Sequence, residues 1–233
     1  MTGAGVSSPG DLSPVRLAAL AGMAAPILFV SVFTAEGALR PGYHPVSMFV
    51  SELSLGPRGW VQIGSFVVTG LLVVLFASGV AARFIGGRAA SAGPAVLKII
   101  GFSLMASGPF VTDPSALFDQ TSLHGLVHGI FGALVFSLAP VSCFVYFGRF
   151  RRDPAWKSLA PWTLLIGALL VLGIVMLKLS QLPHGALYPW KGWIQRVILC
   201  LFMGWLFAFA ARLYRVSDQK RAKTVQSKLD FGH

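Results

Sequence analysis

The chain has 233 residues, 55% of them hydrophobic and 12% charged, and its 19 Lys and Arg against 8 Asp and Glu give a net charge of +11. An ordinary soluble domain carries about 25% charged residues, so this composition excludes a water-soluble globule. The expected partner of the positive charge is the lipid bilayer and not nucleic acid, because the basic residues flank apolar runs, where they orient helices and meet anionic headgroups.

The first 14 residues are rich in Gly, Ser and Pro and lack periodicity, so a disordered tail is expected there. An apolar run from Val15 to Ala35 follows, the first of six close to the roughly 20 residues that cross about 30 Å of hydrocarbon. Arg16 ahead of this run, with the small residues Thr34, Ala35, Gly37 and Ala38 behind it, also suits a cleavable secretory signal, although the run is long for one. Further spans are expected at Val61–Ala82, Ala95–Val111, Leu123–Phe147, Leu159–Leu177 and Trp193–Leu213. The third is short and carries Ser103, Ser107 and glycines, which suits packing against close neighbours inside a bundle. Cys143 and Cys200 both lie within apolar runs, where neither a disulfide framework nor a zinc knuckle is expected. The expected fold is all-α: a polytopic membrane helix bundle of six transmembrane helices over residues 15–213, ending in a basic tail over 214–233.

Orientation follows from the basic residues. Arg16, Arg83, Arg88, Lys98, Arg149, Arg151, Arg152, Lys157 and six more from Arg212 onward lie on the side of the termini; Arg40, Arg58, Lys178, Lys191 and Arg196 lie on the other. Positive flanks stay in the cytoplasm, so both termini are expected there, in a multi-pass protein of the cell membrane. Trp60, Tyr188, Trp190 and Trp193 then fall at the outer boundary, where amphipathic rings prefer the interface.

This topology gathers the chemistry-capable residues on the outer side. His44, His124, His128 and His184 lie there, as do Glu36, Glu52, Asp113 and Asp119. A bland explanation stands beside the functional one, since external loops collect polar residues while bases are held inside. His124 and His128 are four residues apart at the start of the fourth span, so their rings share one helix face. That is the spacing of a two-histidine metal pair, with Asp113 or Glu52 as a third ligand and a divalent metal such as zinc as the implied cofactor. Two interfacial histidines bonded to backbone or neighbouring side chains explain the same spacing. With metal, Glu52, Asp113, His124 and His128 form a candidate catalytic set for hydrolysis by an acidified water. Without it, a His and a carboxylate could serve Ser47 or Ser51, although no nucleophile elbow is present.

In the first outer loop, apolar Val46, Met48, Phe49, Val50, Leu53 and Leu55 are interleaved with His44, Ser47, Ser51, Glu52 and Ser54. The pattern predicts a short interfacial or re-entrant helix over the bundle mouth, either a lid or a headgroup anchor. Thr112-Asp113-Pro114 is expected to end a helix, with Asp119, Thr121 and Ser122 as caps for the next. Lys191 and Arg196 are expected either to snorkel to the interface or to hold an anionic lipid group.

The stretch from Ser51 to Gln62, with Phe110-Val-Thr-Asp-Pro114 and Thr121-Ser-Leu-His-Gly-Leu-Val-His128, resembles the family named domain of unknown function 998. That resemblance implies a helical bundle like those of bacterial and archaeal integral membrane proteins of about this size. It draws attention to Glu52, Trp60, Asp113 and His124, and supplies no substrate or reaction.

Three function classes follow. One is a membrane-embedded hydrolase or lipid-modifying enzyme acting on a lipid or other hydrophobic substrate. Another is a non-catalytic receptor, assembly or interaction protein using the same loops as a partner surface. Transport ranks below both, because the middles of the spans lack acids and histidines. A haem protein is more remote, since His124 and His128 share one helix and cannot face each other as axial ligands.

Overall fold

The structure, a computed structural model, describes residues 14–84, 88–114, 122–182 and 184–230. These residues form α1 (Pro14–Leu39), α2 (Gly59–Arg83), α3 (Arg88–Ala106), α4 (Leu123–Phe150), α5 (Ala160–Leu179) and α6 (Lys191–Asp230), with 3-10 turns at Val50–Ser54, Lys157–Leu159 and Tyr188–Trp190. Five of the helices are long and apolar enough to cross a membrane, and α3 is a shorter apolar helix. Ile27, Phe102, Ile130 and Leu172 stand more than half exposed on the outward faces. Rows of such side chains are not left open to water. The chain is a multi-pass helical membrane protein.

The helices close a ring in chain order, each packed on the next and α6 returning to α1. Small residues bring the backbones together. Gly70 on α2 faces Gly101 on α3, and a Cβ on either would run into the other's carbonyl oxygen. In a bilayer such close approach supplies the dispersion contacts that hold helices together.

The end bearing the chain termini, which the basic residues assign to the inside, is closed by aromatic rings. Trp156, between α4 and α5, is fully buried and stacks on Phe150 at 5.1 Å, with Phe84 and Phe209 at 5.0 and 5.4 Å. Arg212 ties this connection down by donating from Nε to the Ala155 carbonyl at 2.7 Å.

Two boundaries differ from the sequence reading. The third helix begins at Arg88 and ends at Ala106, five residues before Val111. Pro109 disfavours helix at Gly108 and has no N–H to continue the ladder. The chain turns instead, with Ser107 N–H on the Ser103 carbonyl at 2.9 Å and Gly108 N–H on Met105 at 3.2 Å. The last helix runs unbroken past Leu213 to Asp230, so the basic segment beyond residue 213 begins as helix. Pro14 opens α1, where a missing N–H does no harm, and the rest of the expected N-terminal tail lies outside the described residues.

Candidate functional site

The connection between α1 and α2 is a plug and not a headgroup anchor. Val50, Ser51, Glu52, Leu53 and Ser54 are all buried in its single 3-10 turn, which packs on α1, α2 and α6. So short a turn leaves most of its backbone groups unpaired, and in the bilayer each must find a partner in the protein. Side chains from the end of α1 and from α6 supply several of them. From the end of α1, Arg40 donates to the Glu52 carbonyl at 2.9 Å and to the Leu55 carbonyl. From α6, Gln195 Oε1 accepts Val50 N–H at 2.7 Å. Arg196 Nη1 reaches the carbonyls of Pro45 and Met48 at 2.6 and 2.9 Å, and its Nη2 donates to the Tyr43 hydroxyl. Burial pushes the Tyr43 phenol above its ordinary pKa, with Arg196 acting the other way. It therefore stays protonated and donates to the Phe49 carbonyl at 2.9 Å.

Glu52 and Glu36 are both engaged around this connection. Glu52 Oε2 accepts Phe49 N–H at 2.7 Å, closing the start of the turn. Glu36 on α1 is buried and takes Arg58 at 2.6 and 3.2 Å, joining α1 to the start of α2. Gly59 is required beside it, because a Cβ there would collide with the Ser54 carbonyl.

The two histidines diverge despite their shared helix face. His124 is exposed, its ring 5.7 Å from that of Phe110. His128 is 8% exposed, its ring 6.0 Å from Phe66 and its Nδ1 2.7 Å from the Phe110 carbonyl. A carbonyl only accepts, so Nδ1 is the donor in this bond. His128 borders a cavity of about 40 Å³ with Ser51, Ser107 and Gln195, directly under the plug. Asp113 follows α3 in an irregular segment and caps α4 at one remove. Its oxygens accept the Ser122 N–H at 2.9 Å and hydroxyl at 2.7 Å, and Ser122 Oγ accepts Gly125 N–H at 3.0 Å. Ser122 is thus the cap foreseen, while Asp119 and Thr121 lie outside the described residues.

The expected meeting of four residues therefore resolves into three places. His128 lines the small cavity, Glu52 a separate surface hollow of about 410 Å³ with Arg40, Tyr43 and Arg58, while Asp113 caps α4 and His124 is exposed on its first turn. Among the described residues no three His, Cys, Asp or Glu side chains come together as a metal site, so the set of His124, His128 and Asp113 is not assembled. His44 and His184 are exposed on the outer connections.

A wider hollow lies elsewhere. Between the outer halves of α1 and α6 a groove of about 590 Å³ is lined by Phe33, Ala38, Trp193, Val197, Cys200 and Arg196, among others.

A family model described as protein of unknown function (DUF998) matches residues 23–212, which span α1 through most of α6. The chain belongs to this family. No curated protein and no solved structure matches it. In this DUF998 chain the residues that sequence reasoning passed over are Tyr43, Gln195 and the groove positions other than Trp193 and Arg196. Gln195 and Arg196 did carry a signal, being adjacent polar residues at the head of an apolar run, where burial in lipid is costly unless they turn inward. Their partners lie about 150 positions away, and nothing local marks them.

Proposed function

We propose that this protein binds a membrane-soluble amphiphile, taken sideways from the outer half of the cell membrane into the groove between α1 and α6. The observation that supports this reading is the groove itself, about 590 Å³ and almost wholly apolar in its lining. Ligand sites of this size and character are the usual seats of hydrophobic molecules. The plug favours binding over a water-fed reaction: it seals the outer mouth, and its charged side chains are spent on fastening it. The test is to purify the chain in mild detergent, extract it with organic solvent and weigh what is released. About one amphiphile per chain should co-purify with the natural sequence and be lost from Ala38→Trp, which fills the groove. Leu164→Trp, on the exposed face of α5, should retain it. No enrichment, or equal loss in both variants, removes the reading.

A second reading is hydrolytic or transfer chemistry on a lipid, favoured by one observation: His128, held through Nδ1 at the Phe110 carbonyl, shares its cavity with Ser51. At about 40 Å³ that cavity holds on the order of one to three waters. Chemistry there requires the plug to move. A serine-directed phosphonate probe that labels Ser51, and fails to label it in His128→Ala, would support this reading; no labelling of Ser51 would remove it.

A further inference from the structure

The groove between α1 and α6 is bordered by one cation. Arg196 is 7% exposed and lines the groove alongside Phe33, Ala38, Trp193 and Val197. All of its acceptors are neutral, namely the carbonyls of Pro45, Met48 and Gly192 and the hydroxyl of Tyr43. The ion pairs among the described residues join Arg58 to Glu36 and Arg16 to Asp218, and no described carboxylate stands at ion-pair distance from Arg196. The helix adds to the same field. Arg196 lies in the second turn of α6, near the positive end of its dipole. A buried charge answered only by neutral dipoles keeps a large desolvation penalty, and an anion placed beside it removes part of that penalty.

Resting on the amphiphile reading above, we infer that the groove takes an anionic phospholipid of the outer leaflet, with its phosphate beside Arg196. Its acyl chain runs down the groove past Phe33, Thr34, Cys200 and Leu201. The depths agree with this orientation. Cys200 and Leu201 lie four and five residues beyond Arg196, about 6–8 Å further along the helix axis and toward the bilayer centre. Trp193, half exposed at the upper rim, stands where indole rings meet headgroups. A neutral-headed lipid with the same chains occupies the same apolar space but leaves the guanidinium unanswered.

The test is native mass spectrometry of the purified full chain titrated with dioleoyl phosphatidylglycerol and, separately, dioleoyl phosphatidylcholine, which differ in head charge and not in chains. The anionic lipid should bind about tenfold more tightly. Arg196→Lys should keep that preference, Arg196→Gln should bring the anionic lipid to the level of the neutral one, and Ala38→Trp should weaken both. Because Arg196 also fastens the plug, Ala38→Trp is the variant that decides if Arg196→Gln does not fold: a preference it abolishes places the lipid in the groove. Equal affinity of the natural chain for the two lipids overturns the anionic head, and the groove reading survives that result if Ala38→Trp still weakens both. Phosphatidylglycerol binding unchanged in Ala38→Trp overturns the site, and a preference retained in Arg196→Gln overturns the role of Arg196.

Discussion

The side-chain oxygen of Gln195 on α6 accepts the backbone N–H of Val50, 2.7 Å away and 145 positions earlier in the chain. This bond reaches a buried turn that has no other way to satisfy that donor locally, because a single 3-10 turn leaves its first N–H groups open. Gln195→Leu should orphan the amide and cost about 1–3 kcal/mol. Thermal unfolding in detergent should show a fall of several degrees, and hydrogen exchange at residues 49–52 should accelerate. An unchanged melting temperature with unchanged exchange would mean the bond does not hold the plug.

The two histidines should separate sharply on substitution. His128→Ala removes the donor to the buried Phe110 carbonyl and opens space beside Phe66, so a loss of about 2–4 kcal/mol is expected from the unpaired carbonyl and the lost packing together. His124→Ala removes only an exposed ring resting near Phe110 and should cost less than about 0.5 kcal/mol. Paired denaturation curves decide it, and equal losses would refute the divergence of the two side chains.

How far the sequence carried these conclusions depends on whether an interaction is local. The apolar runs are local and predicted the helices; Ser122 is a local cap and was foreseen. Lys191 and Arg196 were expected either to snorkel to the interface or to hold an anionic lipid group; neither snorkels, since both are buried, Arg196 inward on the first connection and Lys191 with Nζ 4.1 Å from the Tyr188 ring centre. What decides this is the row of open carbonyls from Pro45 to Met48, which becomes a ligand for a guanidinium only once α1 and α6 are neighbours in the ring. The two histidines part for a related reason: spacing puts both on one face, but only His128 is buried, with its Nδ1 on the Phe110 carbonyl.

Orientation can be tested directly. Single cysteines replacing His44 and Arg152, in a chain whose Cys143 and Cys200 are changed to Ala, should react from opposite sides with an impermeant maleimide. His44 lies on the plug end and Arg152 beside the Trp156 cluster, both exposed. Labelling of position 44 from outside intact cells, and of position 152 only after permeabilisation, is the expected result; the reverse pattern would invert the bundle.

The last prediction concerns Gly192. It stands in the first turn of α6 against the same two carbonyls that Arg196 grips: a Cβ at this position would collide with the oxygens of Met48 and Pro45. Gly192→Ala adds no charge, removes no donor and favours helix by about 1 kcal/mol, so in an isolated α6 it should stabilise. In the folded chain it should do the opposite, because the backbone oxygens have no side-chain freedom with which to yield. The plug must then lift away from α6, lengthening the Arg196 contacts and the bond from Trp193 N–H to the Val46 carbonyl, now 2.9 Å. A net loss of about 1–3 kcal/mol is expected, of the size that overpacking brings. The melting temperature should fall, hydrogen exchange should rise over residues 45–50 and stay unchanged at the Trp156 end, and dioleoyl phosphatidylglycerol binding should weaken as Arg196 shifts. If Gly192→Ala raises the melting temperature and leaves exchange at residues 45–50 as it was, the close seating of the plug on α6 is wrong.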